Sequence, residues 1–526
     1  MSRNRDWCLG AGATVLALGL GAATLPASTV SWTGEATPAS QRWQGAAVTR
    51  TTTPIKHLVV IFQENRSFDN YFGTYPDALN TPGEPAFTAA PDTPKVNGLS
   101  PALLSSNANA ADPFRLDRSQ ELTCGGKHGY TALQRAADDL RMDKFVQSAR
   151  PAGTGCSAAV TMGYYDGNTV TALWNYAQRF AMSDNNFDDT YGPSNPSIVN
   201  LISGQTHGAV PSARTAAVQN GTLIGNINPP LSLDACAGGS TTVQMTGQNI
   251  GNLLDTRKVT WGWFNAGFAS TLTSASGAPV CGAHHRTITG QTSNDYRGGD
   301  DPFEYYPSTS NSEHLPPTST AMIGSQDQAN HQYDMADFWA AAEDGFLPAV
   351  SYLRAPSYQQ GHPGYSDPLD EQTFLVQTIN RLESLPSWSS TAVVITWDES
   401  GGLYDHAPPP LVNDSHAADD ALTGPGHCGT AAPVRGYQDR CGYGPRVPLL
   451  VISPYSKVNF VSHALTAQSA ILRFIEQNWH LGQIGDGSFD VRSGSIMPMF
   501  EFGRHAAARL FLNPSTGEPR PVPTAS

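Results

Sequence analysis

The chain has 526 residues, with 31 Lys and Arg against 45 Asp and Glu and a formal net charge of −14. That balance, with no basic stripe along any segment, argues against a nucleic-acid partner held through phosphate contacts. Charged residues make up only 14% while Gly (50) and Pro (39) are abundant, a composition that suits a large α/β protein with many turns and long loops.

Arg3 and Arg5 precede an apolar Gly/Ala/Leu run from Cys8 to about Leu25, followed by Pro26-Ala27-Ser28. Residues 1–28 read as a signal peptide. No Arg-Arg pair occurs there, so the general secretory route and a secreted or periplasmic protein are expected. An uncleaved anchor is the weaker alternative, because the run is glycine-rich and at the short limit for spanning. Residues 29–50 are rich in Thr, Ala and Ser and read as a flexible segment. Cys8 lies in the signal. The other six cysteines, in an exported chain, suggest disulfides; six allow about 15 pairings, and of these the sequence-near set, Cys124–Cys156, Cys236–Cys281 and Cys428–Cys441, is the expected one. No Cys-x-x-Cys spacing suggests zinc.

Residues 51–505 read as the main domain. Ile55–Phe62 is a near-continuous apolar run, the pattern of a strand buried on both faces of a parallel sheet. It leads into Gln63-Glu64-Asn65, and ligands gather at the carboxyl ends of such strands. Residues 73–120 read as a long loop. His128 precedes an amphipathic helix expected over Thr131–Ala149. A second helix is expected over Thr169–Arg179, then a short strand, Phe180–Asp184.

Asp188-Asp189-Thr190-Tyr191-Gly192-Pro193-Ser194 then leads into a helical run. Ser194 stands near a helix N-terminus, where free backbone N–H groups attract anions. Alone, such a serine is more often a cap. Residues 205–320 are polar and read as an insertion or cap region, with Val259–Phe264 a short strand candidate. Helical patterns return at Gln332–Glu343 and Pro368–Glu383, flanking a strand at Pro348–Leu353 and the segment Gln360-Gly361-His362-Pro363-Gly364-Tyr365.

Thr391–Trp397 is the second clear buried strand and ends in Asp398-Glu399-Ser400-Gly401-Gly402. Two buried strands thus end in oxygen ligands, and a parallel sheet brings such ends to one edge. Three carboxylates and an amide form a shell for one divalent cation, with Ca, Mg or Mn favoured by the oxygen donors. A cation offsets the negative charge of a phosphoester and activates a hydroxyl, so Ser194 can attack phosphorus without an adjacent histidine base. Ser197 is the reserve nucleophile. Val447–Ser453 is a third strand candidate, Thr466–Trp479 an amphipathic helix, and residues 506–526 read as a disordered tail.

Several blocks resemble the bacterial phospholipase C / acid phosphatase family: Val60 to Gly73 (VIFQENRSFDNYFG), Met162 to Asp166, Tyr191 to Pro196, Asn330 to Asp334, and Trp397 to His406 (WDESGGLYDH). The resemblance covers roughly residues 55–505. It implies an alkaline-phosphatase-like three-layer α/β/α sandwich with a mainly parallel central sheet. It also implies a metal shell of Glu64, Asn65, Ser194, Asp398 and Glu399, with His128 and His362 lining a phosphate pocket and acting in catalysis. His406 is a further candidate on the substrate side, ahead of His207 and His331. The family often carries a His-His pair before Pro302-Phe303, where this chain has Gly299-Asp300, so Asp300 faces the substrate in place of a histidine. Leu133-Gln134 also departs from the family's Glu-Gln and reads as structural.

The implied activity is a secreted, metal-dependent phosphoester hydrolase working through a phosphoseryl intermediate. Its substrate would be a small phosphomonoester or a phospholipid, with a membrane surface only as substrate. A strict phospholipase C is one alternative, and a catalytically inert binding protein is another. Phosphocholine-directed relatives often carry C-terminal β domains and a twin-arginine signal, neither of which is read here. A choline-type headgroup would need an aromatic cage, for which Trp261, Trp263, Tyr305 and Tyr306 are candidates. A sulfatase is disfavoured, because Ser194-Asn195-Pro196-Ser197 is followed by Ile198 and not by the Arg of the sulfatase pattern.

Overall fold

A computed structural model describes residues 50–120, 124–151, 156–287, 290–504 and 507–521. The signal-peptide reading and nearly all of the flexible segment lie outside them. The central sheet contains β1 (His57–Gln63), β2 (Ala181–Ser183), β3 (Trp261–Asn265), β4 (Gln332–Asp334), β5 (Val350–Arg354), β6 (Thr391–Trp397), β7 (Leu449–Ile452) and β8 (Phe460–Ser462). Their order is β4-β3-β5-β1-β6-β7-β2-β8. Only β7 runs antiparallel to its neighbours; every other pairing in the sheet is parallel.

The apolar runs read from the sequence form the middle of this sheet because both of its faces are covered. Along β1, Val59 and Ile61 join one core, while Leu58, Val60 and Phe62 join the other, as the two-residue period of a strand requires. The main helices are α1 (Tyr130–Ala137), α2 (Thr171–Arg179), α3 (Ser194–Ser203), α4 (Ile250–Arg257), α5 (Met335–Glu343), α6 (Pro368–Ser384) and α7 (Ala470–Trp479). Residues of α2, α5 and α6 belong to the first core and residues of α3, α4 and α7 to the second. The result is a three-layer α/β/α sandwich with a mainly parallel sheet. The three expected disulfides, Cys124–Cys156, Cys236–Cys281 and Cys428–Cys441, are formed.

Four expectations fail. First, residues 205–320 are not one insertion: β3 lies between β4 and β5 in the sheet, and α4 belongs to a core. The stretches on either side of α4 and β3 leave the sheet, yet Leu223, Val243, Met245, Phe303, Tyr305 and Tyr306 within them pack into the same core. Second, the helix expected over Thr131–Ala149 ends at Ala137. Asp138, Asp139, Leu140 and Met142 all have positive φ, and a short helix resumes at Phe145–Ser148. The break is held by tertiary bonds: Asp139 N–H donates to Leu422 O at 2.8 Å, and Gln134 Oε1 accepts from Ala421 N–H at 2.8 Å. Third, the Gln332–Glu343 segment starts as strand β4. Asp334 then caps α5, accepting from Ala336 N–H at 3.0 Å. Fourth, the tail expected to be disordered is packed over 507–521. Leu510, Phe511 and Leu512 are buried, and Leu512 N–H donates to Asn380 Oδ1 of α6 at 3.1 Å. Residues 522–526 lie outside the described residues.

Candidate active site

The register of β1 against β6 pairs Gln63 with Trp397, so the residues that follow each strand end side by side. Asp398 N–H donates to Gln63 O at 3.0 Å. Asp398 Oδ1 accepts from Asn65 N–H at 2.6 Å and from Glu399 N–H at 2.7 Å. One carboxylate thereby ties the two strand ends together. Asn65 sits at φ 56°, a left-handed position that Asn tolerates better than most residues. Gly401 lies so close that a Cβ there would come within 2.7 Å of Asn65 O, which is why a glycine follows the acids.

Asp398 and Glu399 are fully buried. Burial, reinforced for Asp398 by Glu64 and Glu399 and for Glu399 by Glu64, pushes both carboxyls well above the usual range. Asp398 Oδ2 and Glu399 Oε1 have no hydrogen-bond partner. Buried carboxylate oxygens without partners are costly, and a cation beside them would remove that cost. Glu64, Asn65, Ser194, Asp398 and Glu399 are oxygen donors suited to a hard divalent ion. Glu64, Asp398 and Glu399 do not bring one carboxylate oxygen each within 4.8 Å of one another. Among the described residues, the clusters whose ligand atoms lie within 4.8 Å of one another are Cys236/Cys281/His314 and Asp69/Asp405/His406. In the first the sulfurs form a disulfide. In the second the Arg446 guanidinium lies 3.1 Å from Asp69 and 2.9 Å from Asp405, so a cation is already in place.

Ser194 is the first residue of α3. Pro193 occupies the cap position and no side chain caps the helix. The Ser194 hydroxyl is therefore free of the capping role and faces the strand ends, with Oγ 3.1 Å from Glu64 Oε2 and 3.3 Å from Asn65 Oδ1. Ser197 is fully buried, and its hydroxyl donates to Asp188 Oδ2 at 2.9 Å.

His362 and His128 flank this centre, their rings 6.0 Å apart. His362 Nδ1 lies 2.7 Å from Pro363 O, and Asn65 Nδ2 donates to His362 Nε2 at 3.0 Å. His128 Nδ1 lies 2.8 Å from Gly126 O, and its Nε2 is 4.0 Å from Glu399 Oε1. A carbonyl at Nδ1 places the proton there in each ring, leaving His128 Nε2 towards Glu399 and His362 Nε2 as the acceptor for Asn65. Burial lowers both pKa values, that of His362 well below the usual value, with the neighbouring His128 adding to the effect.

Glu64, Ser194, Asp300 and His362 line an open cleft of about 900 Å³. Its remaining wall is mainly hydroxyl and amide side chains and backbone from 215–241 and 292–300, the excursions expected to cover a site. Two further side chains belong here. Arg354, the last residue of β5, is fully buried; it contacts Glu64 Oε1 and stands 3.2 Å from Asp300 Oδ2. Arg297 lines the cleft over the Tyr365 ring, 4.6 Å from its centroid. Arg354 could have been found by the rule that selects Glu64 and Asp398, position at a strand's carboxyl end. Arg297 carries no such signal.

Other candidates lie elsewhere. His406 is bonded to Asp69 at 2.7 Å and Asn97 at 3.1 Å and is absent from the cleft wall. His331 is buried, stacked on Trp261 at 4.3 Å, and His207 stacks on Tyr437. Trp261, Trp263, Tyr305 and Tyr306 are core residues of the sheet's second face, so none of them forms a cage at the cleft.

The Phosphoesterase family matches residues 55–482 of the chain. A non-hemolytic phospholipase C of Pseudomonas aeruginosa is 24% identical over 496 residues, 90% of this chain and 62% of that protein. A non-hemolytic phospholipase C of Burkholderia pseudomallei is 26% identical, over 88% of this chain and 59% of that protein. Phospholipase C A of Mycobacterium tuberculosis is 26% identical, over 77% of this chain and 69% of that protein. The chain thus spans about three fifths of the length of the first two. Among solved structures, a phosphonate monoester hydrolase from Silicibacter pomeroyi matches with a TM-score of 0.29 at 14% identity, over 64% of this chain and 72% of that one.

Proposed function

The chain belongs to the Phosphoesterase family, and on that premise we propose that it is an exported hydrolase of phosphoesters with Ser194 as its nucleophile. The observation that carries the proposal is the Ser194 hydroxyl, freed from helix capping and held beside Glu64 and Asn65 at the wall of the cleft. Export is supported by the leader-like residues 1–28 and the three disulfides.

Glu64, Asn65, Ser194, Asp398 and Glu399 would hold one divalent cation, which when bound offsets phosphoryl charge and lowers the hydroxyl pKa. The chain's own groups account for the remaining steps. Ser194 Oγ attacks phosphorus, its proton passing towards Glu64 Oε2, the nearer of its two acceptors. The ester P–O bond breaks and a phosphoseryl intermediate forms. The leaving oxygen needs a proton, which His362 or His128 delivers only once its ring gains a second proton at Nε2; the negative charge of bound substrate favours that state against the effect of burial. Water then attacks the same phosphorus and loses a proton, the Ser194 P–O bond breaks, Glu64 returns the proton to Ser194 Oγ, and inorganic phosphate or the phosphomonoester departs. Throughout, the N-terminus of α3 presents positive partial charge to the phosphoryl oxygens.

A second reading, phospholipase C acting on phospholipid headgroups, is favoured by the names of the three relatives. The polar cleft wall and the core placement of the four aromatic residues favour a hydrophilic phosphoester instead. Purified protein, chelated and then resupplied with Ca, Mg or Mn, should be assayed on p-nitrophenyl phosphate, bis(p-nitrophenyl) phosphate and phosphatidylcholine vesicles. Metal-restored turnover of either nitrophenyl ester is the expected result. Turnover of the vesicles alone selects the phospholipase reading, and inertness on all three selects a binding protein on the same scaffold.

A further inference from the structure

We propose that Arg297 reads substrate charge at this site and biases it towards phosphomonoester dianions over phosphodiester monoanions. The inference rests on the phosphoesterase reading above and adds a specificity-determining residue to it. Arg297 is the only Lys or Arg among the residues that line the described cleft. Its side chain is 47% exposed, enough to meet a ligand, yet it is held in place from two sides. Its guanidinium lies 4.6 Å from the Tyr365 ring centroid, and Arg297 Nε is 3.9 Å from Asp300 Oδ2.

Tyr365 is itself fixed. It stacks on His362 with ring centroids 4.1 Å apart and planes 19° from parallel, and His362 accepts from Asn65, which lies 3.3 Å from Ser194 Oγ. A continuous line of contacts therefore runs from the nucleophile to Arg297. A loose surface arginine would lack that line.

Asp300 would cancel the Arg297 charge if it served Arg297 alone. It does not: Arg354 stands closer to the same carboxylate oxygen, at 3.2 Å. The Arg297 guanidinium makes no hydrogen bond to the described residues, so its donors remain available. A guanidinium offers two parallel N–H groups to two oxygens of one phosphoryl group. A diester also offers two free oxygens to this fork but carries one negative charge where a monoester dianion carries two, so the monoester gains more from the guanidinium's charge. The wall beyond Arg297 is built of Asn, Ser and Thr side chains, leaving it the one permanent positive charge available there.

The test compares wild type, Arg297→Ala and Arg297→Lys on p-nitrophenyl phosphate and bis(p-nitrophenyl) phosphate, with inorganic phosphate as inhibitor. Losing a charged hydrogen bond costs about 1.5–3 kcal/mol, or roughly 10- to 100-fold. KM for the monoester and Ki for phosphate should rise by about that factor in Arg297→Ala, while kcat and the diester constants move less than about 3-fold. Arg297→Lys should recover part of the loss, since charge without the fork remains. Equal effects on both esters, or an unchanged phosphate Ki, would overturn the proposal. Ser194→Ala separates the two readings: if it keeps turnover, the Ser194 assignment fails while the Arg297 comparison still stands. If wild type hydrolyses neither ester, calorimetric titration with inorganic phosphate decides instead. Equal affinity for wild type and Arg297→Ala overturns the inference, and a loss of about tenfold or more supports it. A melting temperature of Arg297→Ala within about 2 °C of wild type, expected for an exposed position, shows that the variant is folded.

Discussion

Ser194 Oγ and Glu64 Oε2 meet at 3.1 Å although 130 residues separate them. The contact joins the first residue of α3 to the residue that follows β1. It forms because Pro193, not the serine, takes the cap position, leaving the hydroxyl to turn towards the strand ends.

Ser194 and Ser197 should separate cleanly under mutation. Ser194→Ala is expected to lower kcat on p-nitrophenyl phosphate by about a thousandfold or more, as loss of a nucleophile does, with the melting temperature nearly unchanged. Ser197→Ala removes a buried bond to Asp188 and should cost about 1–2 kcal/mol of stability while keeping turnover. The reverse pattern would make Ser197 the nucleophile.

Asp398 and Glu399 bear on metal binding and stability in opposite directions. In chelated protein, Asp398→Asn replaces a carboxyl whose charged form burial, Glu64 and Glu399 all disfavour with a neutral amide and should raise the melting temperature. The same variant should lose the thermal stabilisation that added Ca, Mg or Mn gives wild type, since a ligand that binds only the folded state stabilises it. Differential scanning fluorimetry with and without each metal reads both effects. A full metal response in the variant would remove Asp398 from the shell.

Arg354 is buried between Glu64 and Asp300. Arg354→Met leaves both carboxylates without their shared cation, a change expected to cost about 3–5 kcal/mol. Urea unfolding should show this as a lower midpoint. A variant as stable as wild type would mean that Arg354 offsets little of the acidic charge.

Glu476 of α7 faces Asp490, and Ile484 N–H lies within reach of both carboxylates, at 3.1 and 3.2 Å. Burial, then the hydrogen bond and charge of Asp490, push Glu476 up to about 9. Between its unfolded value of 4.5 and 9, the folded chain binds the extra proton, so this group's contribution falls as pH rises. Glu476→Gln should therefore raise the melting temperature at pH 8, on the order of 1–2 °C, and leave it unchanged at pH 4. Equal effects at both pH values would show that Glu476 does not titrate in this way.

The sheet's centre was legible because burial on both faces leaves a mark: Leu58–Phe62 and Thr391–Trp397 are apolar runs with no other explanation. The acids after them were legible because a strand end is also a sequence position. Val259–Phe264 was legible as a short strand, but its polar surroundings hid that it belongs to the main sheet, since its neighbours β4 and β5 arrive from later in the chain. The break after Ala137 was hidden because the hydrophobic period runs through it, and the tertiary bonds to Ala421 and Leu422 override that period. The tail's Leu510-Phe511-Leu512 was too short a run to stand out from the Pro and Ser around it.

The buried strands of a parallel sheet, the strand-end acids and the serine at a helix start were written in the chain itself. Each of these depends on local pattern or on proximity along the chain. Folding in three dimensions settled the rest: that Ser194 is uncapped, that His406 serves Asp69 and Asn97, that the four candidate cage aromatics are core, and that Arg354 and Arg297 stand at Asp300. Those are distances between residues far apart in the chain, and no periodicity or composition encodes them.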